Sequence, residues 1–256
     1  MQHPSQKQYT LRNGKVFGGG TLLACCPLVS ADLDALRTDT EATCKAFPDI
    51  LEWRADYFEK LSDPEAVAEA ARVVRVAAGD VPVLFTPRIT AEGGKQDLEP
   101  EAKKAVIRAV CETGCIDLID IEMRWNEDFI RDVRAIADAS GVRLVLSYHD
   151  FKGMPDLDTI REKLEFAEKY ADINKLALMP QNFHDVAAFC KMIVEAKQNW
   201  MQNPVIGSLM GDIGAVTRFG GGSLGTDMCF VAVTGVSGPG QMHIDDYRIL
   251  NELIDG

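Results

Sequence analysis

The chain has 256 residues, of which 46% are hydrophobic and 26% charged, and its formal net charge is −12 at pH 7. The length fits one large domain or two small ones, and the composition is typical of an ordinary globular protein. The negative charge argues against nucleic acid and anionic membranes as partners, so any anionic ligand has to be bound by a local group of arginines.

The cysteine content and the hydrophobic runs predict the cellular location of the protein. Seven cysteines, an odd number in a chain of this size, indicate reduced thiols in a cytoplasmic protein. No Cys-x-x-Cys pair is present, so we expect no metal site. The N-terminal stretch lacks a hydrophobic segment, and no apolar run approaches the ~20 residues that a membrane-spanning helix needs. We therefore expect neither secretion nor a membrane partner.

The first predicted element is a β-hairpin. The segment YTLRNGKVF, residues 9–17, places Asn13 and Gly14 between two extended flanks. Asn-Gly is a strong signal for a tight hairpin turn. We expect this N-terminal extension, residues 1–20, to cover the bottom of the main fold.

Apolar runs then recur about every 30 residues, and the stretches between them have the spacing of amphipathic helices. One such helix has Asp63 as its cap and Pro64 at its first position, and another begins at Pro100. Alternating strands and helices indicate parallel strands, and eight repeats predict an α/β fold, a (β/α)8 TIM barrel formed by a single domain over residues 1–256. The runs cover residues 21–29, 49–56, 81–88, 115–123, 142–150, 172–180, 203–210 and 226–233.

Lys175 is an unusual residue in the sixth run, DINKLALMP. On a strand its side chain shares a face with Ile173 and Ala177, and both faces of the strand are largely apolar. One interpretation is that the lysine extends to the surface from a strand end. The other is that burial disfavours the charged amine and makes it a nucleophile toward carbonyl groups.

Polar side chains stand at the C-terminal ends of the predicted strands, where barrels of this kind place their chemistry. Single members have ordinary explanations, because a strand-end histidine can be structural and Glu52 with Arg54 can form a salt-bridged layer. Seven strand ends that all carry polar groups predict an active site. The set comprises Glu52, Arg54, Arg88, Glu92, Asp120, Glu122, Ser147, His149, Lys175, Arg218, Ser237 and Gln241.

These residue types suit chemistry on a ketone that also carries a carboxylate. Lys175 can form an imine, His149 can remove a proton from the adjacent carbon, and Glu92 can orient the imidazole. Guanidinium groups match a carboxylate with two parallel hydrogen bonds. The predicted clamp consists of Arg54, Arg88 and Arg218. The residues suited to hydroxyl groups of a polyol ring are Glu52, Ser237 and Gln241.

Seven segments together resemble the type I 3-dehydroquinate dehydratases, the Schiff-base class. They are ILEWRAD, LFTPRITAEGG, DLIDIE, SYHDF, KLALMP, PVIGSLMGDIGAVTRFGGGSLGTDMCF and SGPGQ, in the family's order over nearly the whole chain. The resemblance implies that Lys175 forms the imine and that His149, with Glu92 as its partner, acts as base and then as acid. It implies substrate contacts from Arg218, which holds the carboxylate, and from Glu52, Arg54, Arg88, Met210, Phe151, Phe230, Ser237 and Gln241.

The implied reaction is a syn elimination of water from 3-dehydroquinate, which gives 3-dehydroshikimate in the shikimate pathway. The resemblance implies no metal and no organic cofactor, because the imine on Lys175 is the electron sink. The same reaction serves aromatic biosynthesis and quinate breakdown, and the sequence does not distinguish the two roles. Members of the family are commonly homodimers, so we expect a homodimer.

Departures from the family pattern occur at a few positions. Ser208 stands where some relatives have Met, and we expect it to loosen one wall of the pocket. The other departures are Tyr148, Thr217 and Gly238. The glycine-rich segment 235–241 predicts either turns that need positive φ or a lid that closes over the ligand and brings Gln241 inward.

Two other functions stay open. An imine-forming aldolase or transaldolase also has a lysine on the sixth strand, and the glycines at 220–222 can serve a sugar phosphate. A barrel that binds a ligand without turnover is the third candidate. The arginines near His149 favour a carboxylate and a dehydration.

Overall fold

The computed structural model describes residues 3–235, 237–238 and 240–255. Two short strands come first, β1 (Tyr9–Thr10) and β2 (Val16–Phe17). The other strands are β3 (Leu23–Leu28), β4 (Ile50–Arg54), β5 (Val83–Thr86), β6 (Leu118–Glu122), β7 (Arg143–Asp150), β8 (Ile173–Leu178), β9 (Val205–Leu209) and β10 (Met228–Phe230). The helices are α1 (Leu33–Cys44), α2 (Pro64–Ala78), α3 (Pro100–Glu112), α4 (Glu127–Ala139), α5 (Leu157–Tyr170), α6 (Phe183–Asn199), α7 (Val216–Phe219) and α8 (Ile244–Asp255).

Strands β3 to β10 form one parallel sheet in which consecutive strands from β3 to β9 are hydrogen-bonded and β10 pairs back with β3. Between β9 and β10, the backbone N–H of Asp227 donates to the carbonyl oxygen of Val205 at 2.8 Å, which brings the two ends of the sheet together. Each strand lies within one of the predicted runs, so the predicted (β/α)8 barrel is confirmed. Among the described helices, none combines the length and the apolar character that crossing a membrane requires.

The predicted helix starts are also confirmed. Asp63 accepts hydrogen bonds from the backbone N–H groups of Glu65 and Ala66, and Pro64 is the first residue of α2. Pro100 is likewise the first residue of α3, although no side-chain hydrogen bond from the described residues caps the start of that helix. Proline suits this position because the first helical N–H has no partner within the helix.

The N-terminal hairpin lies at the lower end of the barrel. Strands β1 and β2 pair antiparallel across a turn in which Gly14 has a φ of 81°, a value that glycine adopts without strain. Phe17 is fully buried and packs in one cluster with the first inward-facing residues of the barrel strands, such as Ile50. The predicted position of the hairpin is therefore confirmed from residue 3 onward. That residues 1–256 form a single domain stays a prediction, and Met1, Gln2 and Gly256 lie outside the described residues.

The barrel interior changes from apolar to polar along the strands. The lower layer is apolar and includes Ile50, Leu84, Leu118, Val145, Ile173 and Ile206. Because side chains alternate along a strand, the inward residues of the next layer lie two positions further on. On six of the eight barrel strands they are Glu52, Thr86, Asp120, Ser147, Lys175 and Ser208, and all are buried. Polar groups therefore fill the half of the barrel that opens at the C-terminal ends of the strands.

An aspartate immediately precedes every second barrel strand at the lower rim. Each carboxylate accepts a hydrogen bond from a backbone N–H near the start of the preceding strand: Asp49 from Ala24 (2.7 Å), Asp117 from Val83, Asp172 from Leu144 and Asp227 from Val205 (2.8 Å each). Each also pairs with basic side chains, namely Lys15, Arg12 and Arg75, Arg134 and Arg143, and Lys197. We call each aspartate with its backbone and ionic contacts a clasp. The four clasps join β3 to β4, β5 to β6, β7 to β8 and β9 to β10.

We expect Asp117→Asn to lower the free energy of unfolding by about 1–3 kcal/mol, because it weakens the bond to the Val83 N–H and both arginine pairs. The measurement is urea denaturation at pH 7. The control is Asp80→Asn at an exposed turn, where a change within about 0.5 kcal/mol is expected. Equal losses in the two variants would contradict a role for the clasp.

Candidate active site

A cavity opens at the C-terminal end of the barrel. Every residue predicted to act in catalysis or substrate binding lines this cavity. These residues come from strands and loops that are far apart along the chain. These residues are Glu52, Arg54, Arg88, Glu92, His149, Lys175, Met210, Arg218, Phe230, Ser237 and Gln241. The lining also includes Phe151 and Ser208, so the structure places the departure at position 208 in the pocket wall as expected.

Lys175 lies inside the barrel and does not extend to the surface. Its side chain is 4% exposed, and Nζ is 2.6 Å from Oδ2 of Asp120 and 3.6 Å from Oε1 of Glu52. Nζ also lies 4.4 Å from the centre of the Phe230 ring. The sequence predicted burial of this amine, and the structure adds two carboxylates beside it.

Asp120 is a fully buried carboxylate to which the sequence analysis gave no chemical role. Arg88 Nη2 lies 2.8 Å from its Oδ2, and Ser147 Oγ donates to its Oδ1 at 2.5 Å. Burial alone would raise the pKa of Asp120, but the cations of Arg88 and Lys175 hold it well below its usual value. A lasting negative charge therefore lies next to the amine of Lys175.

His149 and Glu92 form a second pair in the pocket. His149 Nδ1 lies 2.9 Å from Oε2 of Glu92, and the backbone N–H of His149 donates to the same oxygen at 3.0 Å. Burial, followed by the cations of Arg88 and Lys175, lowers the pKa of His149 well below its ordinary value of 6.5. Burial also raises the pKa of Glu92 to about 7. The imidazole is therefore neutral at pH 7, and the contact with Glu92 assigns its proton to Nδ1.

The three arginines of the predicted clamp differ in their surroundings. Arg54 donates from Nε and Nη2 to the two oxygens of buried Asp56, at 2.8 Å each. Arg88 is paired with Asp120 and Glu122. Arg218 is buried, and burial lowers the pKa of its guanidinium. Arg54 and Arg88 thus bind protein carboxylates. The sequence suggested Glu52 as the partner of Arg54, whereas the structure has Asp56.

Three residues of the glycine-rich segment 235–241 line the cavity, namely Ser237, Gly238 and Gln241. Within it, Gln241 Nε2 donates to Ser237 Oγ at 3.0 Å, and the backbone N–H of Ser237 donates to Gln241 Oε1 at 2.9 Å. Arg54 Nη1 donates to the carbonyl oxygen of Ser237 at 3.3 Å. Positions 236 and 239 of the predicted lid lie outside the described residues, so its closure stays a prediction.

Known proteins share the sequence and fold of this chain along nearly its whole length. The sequence profile of the family described as Type I 3-dehydroquinase matches residues 24–255. A 3-dehydroquinate dehydratase of Geobacillus kaustophilus (strain HTA426) is 38% identical over 253 residues, which cover 98% of this chain and 97% of the relative.

Solved structures show the same similarity. The crystal structure of 3-dehydroquinate dehydratase from Geobacillus kaustophilus HTA426 has a TM-score of 0.95 at 36% identity and covers 100% of this chain and 98% of that one. The type I 3-dehydroquinate dehydratase from Clostridium difficile, solved with covalently modified comenic acid, has a TM-score of 0.92 at 27% identity and covers 97% of each chain.

The raised pKa of Glu92 predicts a pH-dependent stability. The folded chain binds a proton at Glu92 below about pH 7, whereas the unfolded chain does so only near the ordinary value of 4.5. The contribution of Glu92 to the free energy of unfolding therefore increases as pH falls below 7 and is lost as pH rises to 7. We expect wild type to gain about 2 kcal/mol relative to Glu92→Gln between pH 7 and pH 5.

Denaturant unfolding of both proteins at the two pH values measures this difference. His149 is present in both proteins, so the comparison reports the titration of Glu92 together with its coupling to His149. A stability difference that does not change with pH would show that Glu92 titrates near its ordinary value.

Proposed function

The chain belongs to the type I 3-dehydroquinase family, whose reaction is the dehydration of 3-dehydroquinate, and we propose that Lys175 forms the imine through which this chain catalyses it. The enzyme is a hydro-lyase. The family match confirms the resemblance inferred from the sequence and decides against the aldolase alternative. The observation that carries the proposed mechanism is a buried amine, Lys175, in the same cavity as the neutral imidazole of His149.

Imine formation begins at the ammonium group of Lys175, which lies beside the carboxylates of Asp120 and Glu52. Loss of one proton gives the amine, which attacks the C3 carbonyl carbon and forms a C–N bond. The resulting carbinolamine takes up a proton and expels its oxygen as water, which leaves a protonated imine. Ammonium and ketone thus become iminium and water, and the nitrogen centre carries one positive charge at the start and at the end.

His149 then serves both proton transfers. Its Nδ1–H donates to Glu92, so Nε2 has a free lone pair and removes the C2 proton. The C–H electrons form a C2=C3 double bond while the π electrons of the C=N bond move onto nitrogen, which gives a neutral enamine and an imidazolium. The imidazolium protonates the C1 hydroxyl, which leaves as water while the enamine electrons form the C1=C2 bond and restore the iminium. Hydrolysis then releases 3-dehydroshikimate and Lys175. One group suffices because proton and hydroxyl leave from the same face.

The other pocket residues bind and orient the substrate in this proposal. The substrate carboxylate lies at Arg218, which lines the pocket and whose planar guanidinium matches a carboxylate with two parallel hydrogen bonds. Ring hydroxyls contact Glu52, Arg54, Arg88, Ser237 and Gln241, and Met210 and Phe230 pack against the ring. The imine is the electron sink, so we propose that no metal or organic cofactor takes part. A homodimer in the cytoplasm also remains a proposal.

Borohydride reduction tests the role of Lys175 directly. With 3-dehydroquinate present, we expect a mass increase that maps to the peptide containing Lys175, because borohydride reduces an imine to a stable secondary amine. Lys175→Met should show no adduct and no turnover. Lys197→Met, which removes another buried lysine, should label at Lys175 as wild type does. An unlabelled wild type, or turnover by Lys175→Met, would overturn the mechanism.

His149→Ala separates imine formation from proton transfer. We expect kcat to fall by about 10²- to 10⁴-fold, because a positioned acid–base group contributes that much. The imine to Lys175 should still form and be trapped by borohydride. His184→Ala at an exposed position is the matched control and should leave kcat unchanged. If His149→Ala keeps the wild-type kcat, another group acts as the base.

A further inference from the structure

A chain of buried, alternating charges leads from the outer helix α3 to the reactive amine. The charged groups are, in order, Lys103, Glu122, Arg88, Asp120 and Lys175. We propose that Lys103 is a positioning residue for the reaction, because it holds Asp120 on Nζ of Lys175 through Glu122 and Arg88. This inference rests on the proposed function, since it assigns Lys103 an effect on imine formation.

Lys103 forms the outer end of this chain. Its side chain is 1% exposed, and Nζ donates to Glu122 Oε2 at 3.0 Å and to the carbonyl oxygen of Pro87 at 2.7 Å. The same ammonium lies 5.0 Å from the centre of the Trp125 ring. Pro87 directly precedes Arg88, so Lys103 fixes both the backbone and the ionic partner of that arginine.

Glu122 is the link between Lys103 and Arg88. Its Oε1 accepts from Arg88 Nη1 and from the backbone N–H of Ile89, at 3.0 Å each. Its Oε2 accepts from Lys103 and from Trp125 Nε1, the latter at 2.9 Å. Four donors from three parts of the chain hold this carboxylate, so Glu122 should keep its position when one donor is lost. Removing the charge of Lys103 leaves Glu122 to attract Arg88 more strongly.

Arg88 and Lys175 share one oxygen of Asp120. Arg88 Nη2 and Lys175 Nζ both contact Oδ2, at 2.8 and 2.6 Å, while Ser147 bridges Arg88 Nη1 and Asp120 Oδ1. Any displacement of Arg88 toward Glu122 therefore changes the charge that Lys175 experiences. The nitrogen is cationic before and after imine formation, so Asp120 stabilises both states only while it stays in place.

Lys197 provides a matched comparison at the other end of the barrel. It is also buried, and Nζ donates to Asp227 at 2.8 Å and to the carbonyl oxygen of His3 at 2.9 Å. Losing either lysine leaves a buried carboxylate with one cation fewer, so both variants should be less stable. Only Lys103 is connected to Lys175 by the contacts described above.

The test compares the rate of imine formation in wild type, Lys103→Met and Lys197→Met. Each full-length enzyme is mixed with saturating 3-dehydroquinate, quenched with borohydride at successive times and analysed by intact mass, at a temperature where circular dichroism shows it folded. We expect Lys103→Met to slow imine formation by roughly 10- to 100-fold, because small displacements near reacting groups have effects of that size. Lys197→Met should stay within about twofold of wild type.

Two further variants distinguish positioning from loss of structure. The double variant Lys103→Met/Glu122→Gln removes both charges, so the side chain at position 122 no longer attracts Arg88 away from Asp120. It should therefore form the imine faster than Lys103→Met alone. Trp125→Phe removes one donor to Glu122 and keeps the aromatic ring. It should slow imine formation in the same direction by a smaller factor, and it replaces Lys103→Met if that variant does not fold.

The outcomes separate this proposal from the proposed function. If wild type forms no adduct, the imine mechanism itself fails. If wild type forms the adduct and Lys103→Met or Trp125→Phe forms it equally fast, only the positioning role of Lys103 fails. Equal slowing in Lys103→Met and Lys197→Met would also overturn it, because the effect would then follow general destabilisation.

Discussion

The contact between Asp120 and Lys175 is the constraint from which the rest of the site follows. An ammonium group inside a barrel is stable only if a negative charge lies beside it, and a buried carboxylate in turn needs cations. Arg88 supplies one for Asp120, Glu122 balances Arg88, and Lys103 balances Glu122. Each buried charge thus requires the next, until the series ends at a helix on the outside of the barrel.

The barrel provides this arrangement because parallel strands bring residues of the same parity to one level. An apolar layer and Phe17 of the hairpin close the lower half, so the polar layer above lies in a poorly hydrated interior. Electrostatic interactions are stronger there than in water. The same environment explains why the imidazole of His149 is neutral and able to accept a proton at pH 7.

The strands, their inward faces and the pocket residues could be predicted from the sequence because alternation and strand-end position are local properties. The partners could not, because they depend on the register of strands distant in sequence. The sequence pattern places Asp120 on the inward face of its strand. The contact between its carboxylate and Lys175 follows only from the barrel geometry. Lys103 had a local signal that was not used. It shares the apolar stripe of α3 with Val106, Ile107 and Val110, whereas the adjacent Lys104 forms surface ion pairs with Glu101 and Asp132.

The four aspartate clasps at the lower rim divide the chain into segments that each contain two barrel strands. Both halves of a clasp come from one continuous stretch, for example Val83 and Asp117, or Leu144 and Asp172. Circularly permuted chains with new ends in the connections 79–82, 140–142 or 200–204 would keep every bond between a strand N–H and its aspartate within one stretch. New ends between a strand and its clasping aspartate would instead require the two to meet from opposite termini. Each quarter of the barrel, a pair of consecutive strands joined by one aspartate, is therefore formed by one continuous stretch of chain.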